Sequence, residues 1–329
     1  MKILIIQTAF TGDVVLATSL LEKIHCEIPQ AEISILLRKG NETLLSHHPF
    51  LKEILIWNKK ENKLSNLFKL IFKIRKNKYD VIVNLQRFAG TGILTSLSGA
   101  KEKIGFSKNP LSLFYTKRFS HNIGDGTHEI ERNQLLIEHL TGKKAALPRL
   151  YPNESDFNSI KKYQNSDYIT LSPGSVWFTK TFPPYKWLEL IEKYRQANSN
   201  ILIYLLGSKA EQNLGNELIK NSKHNSLFNL CGELSFLQST ALMKNAMMNY
   251  VNDSAPLHMA GAIDANVTAI YCSTVPKFGF GPLSKISRTV ETKIELSCRP
   301  CGLHGYKACP EKHFNCAHTI SIDAVFQPL

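Results

Sequence analysis

Short apolar, β-rich runs alternate with longer segments of helical spacing, and the alternation occurs twice along this 329-residue chain. In the first half the runs are Lys2 to Gln7, Ile33 to Leu37, Val81 to Asn84 and Lys103 to Phe106. A second set follows at Tyr168 to Leu171, Ile201 to Leu206, Asn249 to Asn252 and Val267 to Tyr271. Strands joined through helices make parallel sheets, so the pattern predicts an α/β protein of two Rossmann-like parallel-sheet domains. Between the sets lie Pro148, Pro152 and the polar stretch Asn153 to Ser166. The expected division is a domain over 1–150, a linker over 151–166 and a second domain over 167–329 carrying a Cys-rich segment, 298–316. Paired domains of this kind are expected to face each other across an interdomain cleft at the carboxyl ends of their strands, and an active site is expected there.

Neither common nucleotide signature is present. The turn after the first strand, Gln7-Thr8-Ala9-Phe10-Thr11-Gly12, lacks the glycine triplet of dinucleotide folds, and no GxxxxGK[ST] occurs. Gly90-Thr91-Gly92 reads as a plain turn. With 43% apolar and 20% charged residues, the chain has enough apolar side chains for two cores and needs no crosslink or metal to fold. Only four consecutive apolar residues, Ile3 to Ile6, open the chain, too few for a signal-peptide core. With no long apolar span either, we expect a soluble, cytoplasmic protein whose membrane contact is peripheral.

The charge is lopsided. Residues 1–150 hold 23 Lys+Arg against 13 Asp+Glu, a net of +10, whereas the remainder nets +3. One domain is therefore expected to face a polyanion: nucleic acid, an anionic membrane or a phosphorylated substrate. The densest stretch, Lys59 to Lys78, has eight cations against Glu61 alone. It contains an amphipathic pattern in which Leu64, Leu67, Phe68, Ile71 and Ile74 are expected to form the apolar stripe, with Lys69, Lys73 and Lys76 off it. A core-facing helix with a solvated lysine face and a membrane-surface helix both fit.

Three turns could carry chemistry. Gly12-Asp13 precedes an apolar helix expected from Val14; Asp13 is either a helix cap or a general base. Ser172-Pro173-Gly174-Ser175, followed by Thr179 and Lys180, combines a strand end, a tight turn and a cation, a pattern suited to anions. Asn252-Asp253-Ser254-Ala255-Pro256-Leu257-His258 leads from a strand into a helix whose N–H groups suit a diphosphate, although Asp253 or Ser254 would also serve as caps. Near the end, Cys298-x2-Cys301-x7-Cys309-x6-Cys316 has a spacing that argues for structural zinc over disulfides, without matching a regular ribbon. Cys26, Cys231 and Cys272 read as ordinary buried thiols.

Four blocks in order resemble the ADP-heptose:lipopolysaccharide heptosyltransferases of glycosyltransferase family 9. They are Gly12-Asp13-Val14-Val15-Leu16-Ala17-Thr18, His128-Glu129-Ile130-Glu131-Arg132-Asn133, Pro173-Gly174-Ser175 with Thr179-Lys180, and Asn252-Asp253-Ser254 with Leu257-His258. The terminal cysteines look like those of the heptosyltransferase II group. The resemblance implies a GT-B fold with acceptor on the first domain and nucleotide sugar on the second. It implies inverting transfer of heptose from ADP-heptose to the Kdo/heptose inner core on lipid A, with no obligatory cofactor, no catalytic metal and no nucleic-acid partner. Its implied acceptor residues are Thr11, Gly12 and Asp13, with Asp13 as the base. Its implied donor residues are Gly174, Ser175, Thr179, Lys180, Glu211, Asp253, Ser254, Ala255 and His258, with Lys180 on the diphosphate, Glu211 on the ribose and Asp253 on the heptose. Ala255 departs from the family's usual Asp-[Ser/Thr]-Gly, placing a methyl group where backbone approaches phosphate. An anionic acceptor in the inner leaflet would give the +10 half its partner. The alternatives are a GT-B transferase using a UDP- or GDP-linked sugar, and a basic nucleic-acid- or membrane-binding protein without catalysis.

Overall fold

A computed structural model describes residues 1–198 and 200–328, which form two compact units, Met1–Tyr151 and Pro152–Leu329. The first unit holds six strands: β1 (Lys2–Ile6), β2 (Glu32–Arg38), β3 (Leu51–Trp57), β4 (Val81–Asn84), β5 (Glu102–Phe106) and β6 (Lys117–Phe119). The second holds β7 (Tyr168–Ser172), β8 (Leu202–Leu205), β9 (Leu227–Asn229), β10 (Asn249–Asn252), β11 (Val267–Tyr271) and β12 (Ser287–Glu291). All described strand pairs are parallel, in the orders β3-β2-β1-β4-β5-β6 and β12-β11-β10-β7-β8-β9. Renumbered from its own first strand, the second order is the same as the first. Each is the doubly wound arrangement, in which the chain starts in the middle and reverses direction beside its first strand.

The central strands are apolar on both faces because helices cover both. In β1, Ile3, Leu4, Ile5 and Ile6 have no exposed surface, and β7, β10 and β11 are buried along their whole length. Trp57 fills the first core beside Leu36, Leu55 and Ile74; Trp187, Tyr194 and Tyr250 fill the second. Each fully buried side chain of this size contributes about 1.5–3 kcal/mol.

Some expectations need correcting. The helix after β1 starts at Thr11, with Phe10 as its N-cap, so Asp13 lies inside the first turn rather than capping it. The glycines Gly90 and Gly92 lie in the helix Ala89–Ser96 instead of a plain turn: a side chain at Gly90 would strike the Trp57 ring, and one at Gly92 would strike Asn109. Segment 151–166 carries the helix Glu154–Ile160, which buries Ile160 and packs on the helix Phe236–Lys244 of the second unit. The helix Lys63–Asn77 buries Leu67, Leu70, Ile71 and Ile74, whereas Leu64 and Phe68 of the expected stripe are exposed. Cys26 is exposed; Cys231 and Cys272 are buried.

Candidate functional site

In a doubly wound sheet, the strand ends on either side of the reversal leave room for a ligand at their carboxyl edge. Each sequence-derived turn lies at such a point: Thr11–Asp13 after β1, Pro173–Lys180 after β7 and Asp253 after β10.

In the first unit, the Thr11 hydroxyl donates to Asn41 Oδ1 at 3.1 Å, and Asn41 Nδ2 donates to the Ala9 carbonyl at 3.2 Å, fixing the loop before Asp13. Gly12 is buried, while Asp13 is half-buried in the helix's first turn. There the helix's partial positive charge favours a carboxylate. Arg38, at the end of β2, lies 4.9 Å from the centre of the Phe10 ring. Burial draws its guanidinium below the ordinary value, and the Asp13 carboxylate works in the opposite direction. Lys59 donates to the Thr8 hydroxyl at 2.9 Å and to its carbonyl at 3.2 Å, and stands 4.7 Å from the Trp57 ring centre. Burial, then Arg38 and Lys63, bring the Lys59 ammonium down to about 8. Arg38 and Lys59 are functional candidates that sequence reasoning missed, because both were counted only as part of a basic background.

The His128–Asn133 block is a support. Its helix, Glu129–Leu135, packs on the helix bearing Asp13 and buries Glu129, Arg132 and Asn133. Burial raises the Glu129 carboxyl, but His121 and Arg132 more than offset this and hold it below its ordinary value.

In the second unit, Asn252 ties the turn after β7 to β10. Its Nδ2 donates to the carbonyls of Ser172, Pro173 and Gly174 at 3.3, 2.9 and 3.2 Å, and its Oδ1 accepts from Phe182 N at 2.9 Å. Lys180 Nζ then meets Asp253 Oδ2 at 2.7 Å, and the same oxygen accepts from the Thr274 hydroxyl at 2.6 Å. Asp253 is therefore an ion-pair partner and not a helix cap. Ser254 is the N-cap of the helix Ala255–Ala262 but makes no side-chain capping bond; its hydroxyl turns to the Asn252 carbonyl at 3.4 Å. Pro256 has no N–H and Leu257 N donates to the Ser254 carbonyl at 3.0 Å, so the N–H groups that this start can offer an anion are those of Ser254 and Ala255. His258 is buried with its ring edge-on to Phe280, centroids 6.3 Å apart.

Glu211 accepts from Ser208 N at 2.6 Å and from its hydroxyl at 2.8 Å. Its carboxylate lies so close over Gly174 that any Cβ there would collide with Oε1. Gly174 and Glu211 are thus one feature built from the ends of β7 and β8. Ser175 accepts from Trp177 N at 3.4 Å. Thr179 points inward: it is 1% exposed, and its hydroxyl accepts from Tyr306 N at 2.7 Å and from Ser273 Oγ at 3.1 Å.

The Tyr306 bond explains the Cys-rich segment in part. Its backbone straps the Lys180 turn, with Thr179 N donating to Tyr306 O, Ser273 N to Thr179 O and Cys301 N to Ser273 O. The four cysteines lie near enough to act electrostatically on one another, Cys298, Cys301 and Cys309 all bearing on Cys316. Among the described residues, no three His, Cys, Asp or Glu side chains converge closely enough to hold an ion. The Cys301 thiol donates to the Cys298 carbonyl at 3.0 Å, and burial, helped by the neighbouring cysteines, pushes the Cys316 thiol up to about 12.

Comparisons with known proteins give the family and the fold. The family described as glycosyltransferase family 9 (heptosyltransferase) matches residues 67–308. Lipopolysaccharide heptosyltransferase 3 of Escherichia coli is 26% identical over 80% of this chain and 82% of its own length. In fold, the chain matches E. coli ADP-heptose lipopolysaccharide heptosyltransferase II with a TM-score of 0.78 at 21% identity, covering 96% of this chain and 97% of that one. It matches a family 9 glycosyltransferase from Veillonella parvula with a TM-score of 0.85 at 18% identity, covering 98% and 94%.

Proposed function

The chain belongs to glycosyltransferase family 9, the heptosyltransferases, and from that membership we propose that it moves heptose from ADP-heptose to the inner core of a lipid A-linked acceptor with inversion at the anomeric carbon. The observation that carries the reading is the pair of chemically unlike sites at equivalent points of two like sheets. A carboxylate, Asp13, stands after the first strand of one unit, and a cation, Lys180, after the first strand of the other.

The division of labour follows from the chemistry. A sugar diphosphate already has a good leaving group, so the donor site needs positive charge and N–H donors for the departing phosphate. Lys180 and the open start of the helix Ala255–Ala262 supply them, with Ser254 and Ala255 at that start. Glu211, above Gly174, takes the ribose hydroxyls, and Asp253 turns Lys180 toward the phosphate or receives a heptose hydroxyl. Thr179 acts through the backbone it anchors. On the other unit, Asp13 removes the proton from the acceptor hydroxyl as it attacks. Thr11 and Gly12 shape that turn, while Arg38 and Lys59 take carboxylate or phosphate groups of the acceptor. One in-line displacement gives inversion, and it requires donor and acceptor together in a single ternary complex. Such an acceptor is embedded in a bilayer, so the enzyme works at the membrane surface; among the described residues no helix is long and apolar enough to cross one.

Purified protein given a panel of nucleotide sugars and lipid A bearing inner-core sugars, with the product analysed by mass, tests the reading. Addition of one heptosyl unit from ADP-heptose supports it. Transfer only from UDP- or GDP-linked sugars would replace the donor, and retention of DNA or RNA at physiological salt without any transfer would favour the binding-protein alternative.

A further inference from the structure

The helix Lys63–Asn77 has two apolar faces, and the protein covers only one of them. Leu67, Leu70, Ile71 and Ile74 are buried against the first core. Leu64, Phe68 and Phe72, four residues apart, are 68%, 58% and 72% exposed. At about 100° per residue they form a continuous ridge beside the buried stripe, and Lys76, Lys69 and Lys73 follow on its far side. The helix itself contains no acidic residue, and the carboxylate that reaches it, Glu53 of β3, pairs with Lys73 at 2.6 Å. Arg75 donates to the backbone carbonyl of Leu97, a residue 48% exposed, at 3.1 Å. Three large apolar residues in water on one short helix are not the incidental exposure of single hydrophobics that surfaces tolerate.

We propose that this ridge is a docking surface for an anionic lipid bilayer, with Leu64, Phe68 and Phe72 entering the headgroup boundary and Lys69 and Lys76 lying against lipid phosphates. Apolar side chains bordered by cations are what an interfacial helix requires. A second copy of the chain is the wrong partner for this face, because a two-fold contact would set one copy's cations against the other's. The start of the helix adjoins the Asp13 end of the sheet: Lys63 acts electrostatically on Lys59, which is bonded to Thr8 in the loop leading to Asp13. Docking by this ridge therefore holds the acceptor end of the unit at the bilayer surface. The proposal extends the reading of a lipid-anchored acceptor, but vesicle binding tests it without any turnover.

Full-length protein is sedimented with vesicles of phosphatidylglycerol and phosphatidylcholine in equal parts, and with phosphatidylcholine alone. Binding to the anionic vesicles is expected, weakening as salt rises. The combined Leu64→Ser, Phe68→Ser and Phe72→Ser variant should bind them at least about tenfold more weakly, with unchanged turnover on a delipidated acceptor. Lys69→Glu with Lys76→Glu should lose the preference for anionic lipid. If the triple variant melts early, Phe72→Ser alone carries the test. Equal vesicle affinity of wild type and variants, or no binding by either, would overturn the proposal. So would a wild-type dimer that the triple variant dissolves, since the ridge would then belong to a second copy.

Discussion

Lys180 Nζ and Asp253 Oδ2 meet at 2.7 Å, joining the turn after β7 to the end of β10 at the point where the order of the second sheet reverses. Both side chains are largely buried, and Thr274 is the other donor to that carboxylate oxygen. The pair holds the cation in place, so a diphosphate bound there as proposed would meet a charge already oriented.

Lys180→Ala should weaken ADP binding and lower turnover together, since the diphosphate is charged in both ground and transition states. It should also cost about 1–3 kcal/mol of stability, because the buried Asp253 carboxylate loses its cation and keeps its Thr274 bond. A denaturant cycle of Lys180→Met with Asp253→Asn should show coupling of at least about 0.5 kcal/mol. Strict additivity would mean that the pair is not formed in solution.

Gly174→Ala should displace the Glu211 carboxylate, which occupies the space a Cβ needs. Calorimetric ADP affinity should drop about tenfold if Glu211 holds the ribose. Glu211→Ala should drop it as far, and the double variant no further than either alone. A Gly174→Ala protein with wild-type ADP affinity would remove Glu211 from the site.

All eight strands anticipated from the sequence are present, and the four it did not reveal, β3, β6, β9 and β12, are the four sheet edges. The cause is physical. Central strands are covered on both faces and read as unbroken apolar runs, whereas Lys117-Arg118-Phe119 and Ser287-Arg288-Thr289-Val290-Glu291 face water along one side and alternate or carry charge. The site shows the same division. Asp13, Lys180 and Asp253 were legible because each stands at a strand-to-helix junction. Thr274, Tyr306 and Arg38 were not, because each reaches the site from an element distant in sequence. Spacing alone also could not separate the buried from the exposed side of the helix Lys63–Asn77, since its apolar residues extend around both.

Acceptor use should depend on pH through Lys59, whose ammonium is brought down to about 8 from an ordinary 10.5. Above about 8 the folded protein loses this charge, so kcat/KM for an anionic acceptor should fall as pH rises from 7 to about 9. A neutral acceptor analogue should show no such limb, and Lys59→Arg should flatten it. Stability runs the other way. Between about 8 and 10.5 the unfolded chain binds more protons at this residue, so its contribution favours folding more as pH rises. A pH profile identical for Lys59→Arg would take Lys59 out of acceptor recognition.

Gly305 has φ +75°, and a Cβ there would lie 2.8 Å from Thr179 Oγ1 and 3.1 Å from Lys180 Cγ. Gly305→Ala should push the strap off the Lys180 turn, weakening ADP binding about tenfold while leaving the acceptor KM unchanged. Unchanged ADP affinity would show that the Cys-rich segment does not position Lys180.

The most direct test of the central claim pairs turnover with donor affinity in Asp13→Asn, which keeps the shape of the side chain and removes the proton acceptor. The account predicts a rate at least about a hundredfold lower with ADP-heptose affinity within about twofold of wild type, since Asp13 and the donor site stand on different units. A wild-type rate in this variant, or a loss of donor affinity large enough to explain the slower rate, would contradict Asp13 as the base.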